Sequence, residues 1–375
     1  MMIASKIAAV ISIRFVEAES VGRKRRERGP GGVAPVPRRP NRFTVWSISR
    51  RRRRMSSRSA NVLRSVEHTA RLAAHDGIST GHSTFMPAHS TPFAIPSHKV
   101  SVQSLGSGSS GNAFLVTHGQ ETVLVDCGVG IRTIAKAFRE RGLAFGDLSA
   151  VLVTHEHSDH IRTLPKVVTG ELSLLATAGT ARRSGIPAEQ HRVLKGNTPV
   201  EVAGMVVWPL PVSHDAVEPC GYLLEVPGGT RVAILTDLGS WHESLVPYVT
   251  SCDLIVLEAN HDEEMLRRGP YPNYLKKRVA SDVGHLSNRA CGIALGAALR
   301  GTSHGPDIWL AHLSETNNRP GLAVETVTAE LRARDVDLHV MALPRLAPGP
   351  IWTPGQARPA PVAAARPLHQ MMLEF

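Results

Sequence analysis

Hydrophobic and polar positions divide this chain into two regimes. Up to about residue 100 no hydrophobic period is sustained, whereas beyond it short apolar runs recur, each closed by a polar or charged residue. Residues 122–125 end in Asp126, 150–153 in Thr154-His155, 206–212 in Ser213-His214-Asp215, 231–235 in Thr236-Asp237, 253–257 in Glu258 and 308–311 in His312. Runs of this length read as buried strands, and polar residues at strand ends lie where α/β sheets place their chemistry. The intervening pattern predicts strands near 100–126, a helix near 130–142, a strand and helix through 150–165, and strands near 205–235. Helices are then expected near 241–249, 262–279, 287–299 and 320–334. There is no internal repeat of solenoid period.

The run Thr154-His155-Glu156-His157-Ser158-Asp159-His160 places three imidazoles and a carboxylate within six positions directly behind a strand. In an extended chain His155 and His157 point the same way, while Asp159 and His160, on the turn into a helix, can face a second ion. Imidazole and carboxylate donors suit zinc, with manganese or iron as alternatives, and a pair of such ions makes a hydrolytic centre. One loop supplies too few donors for two ions. His214, Asp237 and His312, each at the end of a later strand, supply the rest.

These motifs resemble those of the metallo-β-lactamase-fold hydrolase superfamily. The resemblance implies an α/β fold, an αββα sandwich of two mixed β-sheets flanked by helices, over about residues 99–345. It further implies that His155, His157 and His214 hold one metal and Asp159, His160 and His312 the other, with Asp237 bridging and Asp126 buttressing the ligand loop. Within the superfamily the chain is most similar to the YycJ/WalJ-type branch, related to tRNase Z and RNase J. The segments that carry this are Ser104 to Asn112, Leu257 to Asp262, Ser281 to Asn288 and Leu310 to Ser314. The branch implies a nuclease.

Two cations would lower the pKa of a bridging water towards ~7, giving a hydroxide nucleophile, and would bind a substrate oxygen. His285 matches the non-ligand active-site histidine of tRNase Z-like enzymes and is the candidate for stabilising the oxyanion or serving the leaving group. Spacing alone leaves open whether His285 or His312 is the last metal ligand. Asp159, His285 and Glu258 are the candidate catalytic residues, Glu258 as the group that orients His285. Ser109, Ser110, Gly111 and Asn112, in a glycine-rich turn whose N–H groups can cradle a phosphate, and Asn317 are candidate substrate-binding residues.

Charge changes the picture less than it first suggests. The net charge is +11, yet residues 1–100 hold 19 Lys and Arg against 5 Asp and Glu, so the remainder carries a net −3. Nucleic-acid binding, to a DNA or RNA end, therefore rests on the motifs. Residues 1–98, with Arg23-Lys24-Arg25-Arg26 and the run Arg50 to Arg54, read as a disordered basic leader, or as upstream translation before Met55 or Met86. Residues 346–375 read as a Pro/Ala-rich tail. Four scattered cysteines without a CxxC spacing suggest reduced thiols and a cytoplasmic enzyme. No run approaches the roughly 20 apolar residues that span a bilayer, and no obligate protein partner is evident. Only 75 positions separate Asp237 from His312, which excludes the inserted domain of RNase J-like enzymes.

The expectation is a two-metal phosphodiesterase, a 5′-to-3′ exonuclease-like enzyme using zinc or manganese. A thioester, lactone or β-lactam hydrolase on the same fold, and a non-catalytic metal-binding regulatory protein, are the alternatives.

Overall fold

The apolar runs pair into two seven-stranded sheets in the computed structural model, which describes residues 100–355. The expected leader over 1–98 and the tail beyond residue 355 lie outside the described residues. In chain order the strands are β1 (Val100–Gly106), β2 (Ala113–His118), β3 (Glu121–Val125), β4 (Ala150–Leu152), β5 (Leu174–Thr177), β6 (His191–Leu194), β7 (Val200–Val202), β8 (Met205–Pro211), β9 (Cys220–Glu225), β10 (Arg231–Leu235), β11 (Leu254–Glu258), β12 (Asp307–Ala311), β13 (Val340–Ala342) and β14 (Ile351–Trp352). One sheet runs β14-β1-β2-β3-β4-β5-β6 and the other β13-β12-β11-β10-β9-β8-β7. Each is antiparallel in one half and parallel in the other: β3 to β6 are parallel in the first, β10 to β13 in the second.

Three apolar layers hold the sheets and helices together. Between the sheets, Phe114, Met205, Tyr222 and Trp309 interdigitate in a core with almost no solvent contact. Burial of such side chains contributes about 1.5–3 kcal/mol each. Outside the first sheet, Ile134, Ala137 and Phe138 of helix Ile131–Glu140 pack on Leu115, Leu124 and Val151. Outside the second, helices Asn288–Leu299 and Pro320–Arg332 cover Ile255, Leu257 and Leu310. The result is an α/β fold of four layers, helix, sheet, sheet, helix. The Tyr222 hydroxyl donates to the Val153 carbonyl at 2.7 Å, tying β9 of one sheet to the strand end that feeds the ligand loop of the other.

Three expectations need correction. The domain does not end at residue 345: Ile351 and Trp352 pair with β1, and the Trp352 indole N–H donates to Asp307 at 2.8 Å. The helix expected across 262–279 is two helices, Glu263–Arg268 and Asn273–Val279. Pro270 and Pro272 intervene, and proline both lacks the donor and pushes the residue before it out of helical geometry. The helix near 241–249 is a short 3-10 turn, Glu243–Leu245, followed by Val246–Val249.

The strands β5, β6 and β7, of only three or four residues, were not legible as separate elements. All four cysteines are buried and unpaired. Among the described residues no helix is long and apolar enough to cross a membrane.

Candidate metal centre

The carboxyl ends of β3, β4, β10, β11 and β12 meet along one rim, and every histidine and acid expected to act as a metal ligand lies there. After β4 the chain stays extended through His157 before turning into the helical turn Ser158–Ile161. Residues two apart in extended chain share a side, so the His155 and His157 rings meet with centroids 4.6 Å apart. His214, beyond β8, brings its Nε2 to 3.2 Å from His157 Nδ1. The helical turn carries Asp159 and His160 inward, where Asp159 Oδ2 lies 3.4 Å from His312 Nε2 and 3.7 Å from His160 Nε2. Asp237 sits between the groups, with Oδ2 3.0 Å from His160 Nε2 and Oδ1 3.3 Å from His312 Nδ1 and 3.8 Å from His214 Nε2.

Backbone strain marks the same rim. Asp126, Asp237 and His312, each just past a parallel strand, have φ of 62°, 57° and 53°. Left-handed backbone is costly for residues other than glycine and persists where the surroundings over-determine it. Asp126 is fully buried and accepts from the Thr154 N–H at 2.9 Å, the Thr154 hydroxyl at 2.9 Å and the His160 Nδ1–H at 2.8 Å. With Nδ1 held by a carboxylate, His160 turns its Nε2 towards the cluster, where it could ligate a cation. His214 is oriented likewise, its Nδ1 facing the Gly284 carbonyl at 3.1 Å. The His312 N–H donates to Ser107 Oγ at 2.9 Å, and Asn260 Nδ2 donates to its carbonyl at 2.8 Å.

His155 Nε2 is buried without a hydrogen-bond partner among the described residues, and the buried Asp237 Oδ2 has only the His160 imidazole, at 3.0 Å, beside it. They belong to a triplet, His155, His160 and Asp237, whose donor atoms all lie within 4.8 Å of one another. Two further triplets meet the same limit, His155-His157-His214 and Asp159-His160-His312. Nitrogen and oxygen donors in this density fit divalent cations.

The electrostatics agree. Burial opposes the charge on Asp237, but the imidazoles of His312 and His160 outweigh it and hold the carboxyl well below its ordinary range. Burial likewise opposes protonation of His312, yet Asp237, Asp159 and Glu258 lift it to about 10. A potential that draws a proton onto a buried imidazole also draws a metal cation. His155, lowered by burial and then by His160, stays neutral with its lone pair available.

Behind the cluster, Glu258 is fully buried at the end of β11 and has no path to substrate. Its Oε1 faces His285 Nδ1 at 2.9 Å and His312 Nδ1 at 2.7 Å, while Oε2 accepts the N–H of Leu238 at 2.9 Å and of Leu286 at 3.3 Å. This is the arrangement expected of a group that orients His285, extended to His312. His285 is at the rim, its side chain 19% exposed, with ring centroids 5.1 Å from His312 and 5.2 Å from His214. Burial opposes its protonation, and Glu258 outweighs this to raise its pKa above the ordinary value.

Of the glycine-rich turn's N–H groups, those of Gly111 and Asn112 are not free to cradle a phosphate. The N–H groups of Gly108, Gly111 and Asn112 are engaged by Asn112 Oδ1, the Gly108 carbonyl and the Asp159 carbonyl respectively. Asn112 is buried with its Nδ2 3.1 Å from His160 Nε2, and Gly111 is buried, so both brace the ligand loop. Ser109 and Ser110 alone are exposed at the tip. Asn317 is 1% exposed, and its side-chain amide has no hydrogen-bond partner among the described residues. Sequence reasoning gave no role to Asp215, whose Oδ1 lies 3.4 Å from His214 Nε2. Its adjacency to a ligand candidate was the available signal.

A four-layer α/β sandwich whose histidines and aspartates gather at one rim defines a metal-dependent hydrolase of the metallo-β-lactamase fold. Residues 121–302 match the beta-lactamase superfamily domain. The chain is 34% identical over 236 residues to exodeoxyribonuclease YycJ of Bacillus anthracis, covering 61% of this chain and 88% of that protein. It is 32% identical over 244 residues to exodeoxyribonuclease WalJ of Streptococcus pneumoniae, covering 63% and 90%. The crystal structure of the metallo-beta-lactamase fold protein YhfI from Bacillus subtilis shares the fold at 17% identity, with a TM-score of 0.52 over 68% of this chain and 99% of that one. The chain belongs to the metallo-β-lactamase-fold hydrolase superfamily and, within it, to the YycJ/WalJ branch.

Proposed function

We propose that this enzyme is a cytoplasmic phosphodiesterase that removes nucleotides from a DNA end. The observation that carries the reading is His285: a partly exposed imidazole beside the metal cluster, held by a buried carboxylate. Both exodeoxyribonuclease relatives support the substrate class.

Two divalent cations, zinc or manganese, held by His155, His157 and His214 on one side and Asp159, His160 and His312 on the other with Asp237 shared, would supply an acidified water and polarise a phosphoryl oxygen. The protein's own groups do the rest. Glu258 accepts the Nδ1–H of His285 and favours the protonated ring, whose Nε2–H would donate to the departing alkoxide. The same carboxylate fixes His312, so one buried acid sets both the proton donor and a ligand. His312 rather than His285 is the last ligand in this assignment, because its Nε2 faces Asp159.

His285→Ala should lower kcat on single-stranded DNA by about 10²–10⁴-fold while leaving bound metal unchanged, the range for loss of a general acid. Cleavage within a few-fold of wild type would remove this role. A thioester hydrolase expels a thiolate, which departs without a proton, and would tolerate the change.

Asp126→Asn tests the support beneath His160. An amide cannot match the carboxylate's hold on Nδ1–H, and zinc affinity should fall about 10–100-fold, the usual cost of losing such a partner. Competition titration against a chromogenic chelator reads this directly, and unchanged affinity would mean that His160 is oriented by other contacts.

A further inference from the structure

We infer that Arg278 is the receptor for the phosphate that flanks the scissile one, and so a specificity determinant for polynucleotide over isolated phosphodiesters. The inference rests on the nuclease reading above and adds a residue that it leaves unused.

Arg278 is in the last turn of helix Asn273–Val279, behind Lys276 and Lys277. Its Nε and Nη2 both engage one oxygen of Asp215, Oδ2, at 2.7 and 2.6 Å. The other oxygen, Oδ1, faces the cluster, 3.4 Å from His214 Nε2 and 4.0 Å from His157 Nε2. The guanidinium is thus one carboxylate away from the His157–His214 side of the centre. It is still 55% exposed, and its pairing with Asp215 uses only Nε and Nη2.

The mounting is stiff. The Ser281 N–H and hydroxyl donate to the Arg278 carbonyl at 3.2 and 2.8 Å, the His285 N–H donates to the Val279 carbonyl at 2.9 Å, and the Gly284 carbonyl meets His214 Nδ1 at 3.1 Å. A Cβ at Gly284 would overlap the Arg278 carbonyl. One tight turn therefore fixes Arg278 relative to both His214 and His285. The chain beyond residue 100 carries a net −3, and Arg278 belongs to a local basic run, Lys276-Lys277-Arg278, next to the His157–His214 side of the centre. Arginine's planar fork suits phosphate, and a partly exposed pair leaves donors free to take one.

The test compares short oligothymidylate, which has flanking phosphates, with bis(p-nitrophenyl) phosphate, which has none. Arg278→Ala should raise KM on oligothymidylate about 10-fold with a smaller change in kcat, the scale for one charged hydrogen-bonded contact at a partly exposed site. Its loss on bis(p-nitrophenyl) phosphate should be several-fold smaller. The slope of log kcat/KM against log salt should fall by about 0.7, as for one phosphate contact removed from a single strand. Arg278→Lys should restore the salt slope and part of the KM. Equal losses on both substrates, or an unchanged salt slope in a variant with wild-type melting and metal content, overturn the assignment. If the wild-type protein hydrolyses bis(p-nitrophenyl) phosphate and leaves oligothymidylate intact, the nuclease reading itself falls.

Discussion

Asp237→Ala is expected to abolish hydrolysis, by on the order of 10³-fold or more, and to strip bound metal, because one side chain serves both halves of the centre. Its two oxygens approach His160, His214, His285 and His312 at 3.0 to 3.8 Å. Without it, His155 and His160 lose the acid of their triplet, and His312 keeps only Asp159 and Glu258. The variant should also fold less stably, since it leaves buried imidazoles whose charge Asp237 had balanced, at a cost of about 3–5 kcal/mol for a broken buried pair. Elemental analysis after dialysis, with circular dichroism to confirm folding, reads the result. A folded Asp237→Ala protein with full metal content and activity would remove Asp237 from the shared position.

Gly128→Ala should be comparably severe through the backbone alone. A Cβ there would overlap the Asp159 carbonyl in the ligand loop. The surrounding chain cannot step aside: the Gly128 N–H donates to the Asn112 carbonyl at 2.8 Å, the Asn112 N–H to the Asp159 carbonyl at 2.8 Å, and the Cys127 N–H to the His160 carbonyl at 2.6 Å. Three segments, 106–112, 126–129 and 159–160, are packed main chain against main chain. A methyl group between them should cost about 3–5 kcal/mol, at the upper end for single substitutions, or pull Asp159 and His160 away from His312. Thermal melting and metal content together distinguish these. A loss under about 1 kcal/mol with full metal binding would show that the loop yields more easily than its hydrogen bonds imply.

What the sequence made legible follows from local chemistry. His155, His157, Asp159 and His160 stand in one run behind β4, so their proximity needed no tertiary knowledge. His214, Asp237 and His312 could be placed because each closes an apolar strand: β10 and β12 belong to the parallel half of their sheet, and β8, two antiparallel pairings from β10, runs the same way. Residues whose roles depend on distant partners were less clear. Glu258 is 27 positions from His285 and 54 from His312, and nothing in its neighbourhood reveals that burial commits all its lone pairs. Asn112 reads as an exposed turn residue until its Nδ2 is seen against His160, 48 positions on. The pairing of β14 with β1 joins chain segments about 250 residues apart through two residues only. The break between Glu263–Arg268 and Asn273–Val279 was written in Pro270 and Pro272, and weighting the prolines over the helical pattern would have found it.

The central claim, a metal-dependent enzyme that shortens DNA from an end, is tested most directly by following single-stranded DNA labelled at either terminus. The full-length protein, stripped by chelator and then reloaded with zinc or manganese, would be assayed beside Asp159→Ala. The account predicts stepwise release of nucleotides from one terminus, absent in the stripped protein and in the variant, and restored by metal in the wild type alone. Intact DNA in the presence of metal-loaded wild-type protein, or cleavage that survives both chelation and Asp159→Ala, would contradict it.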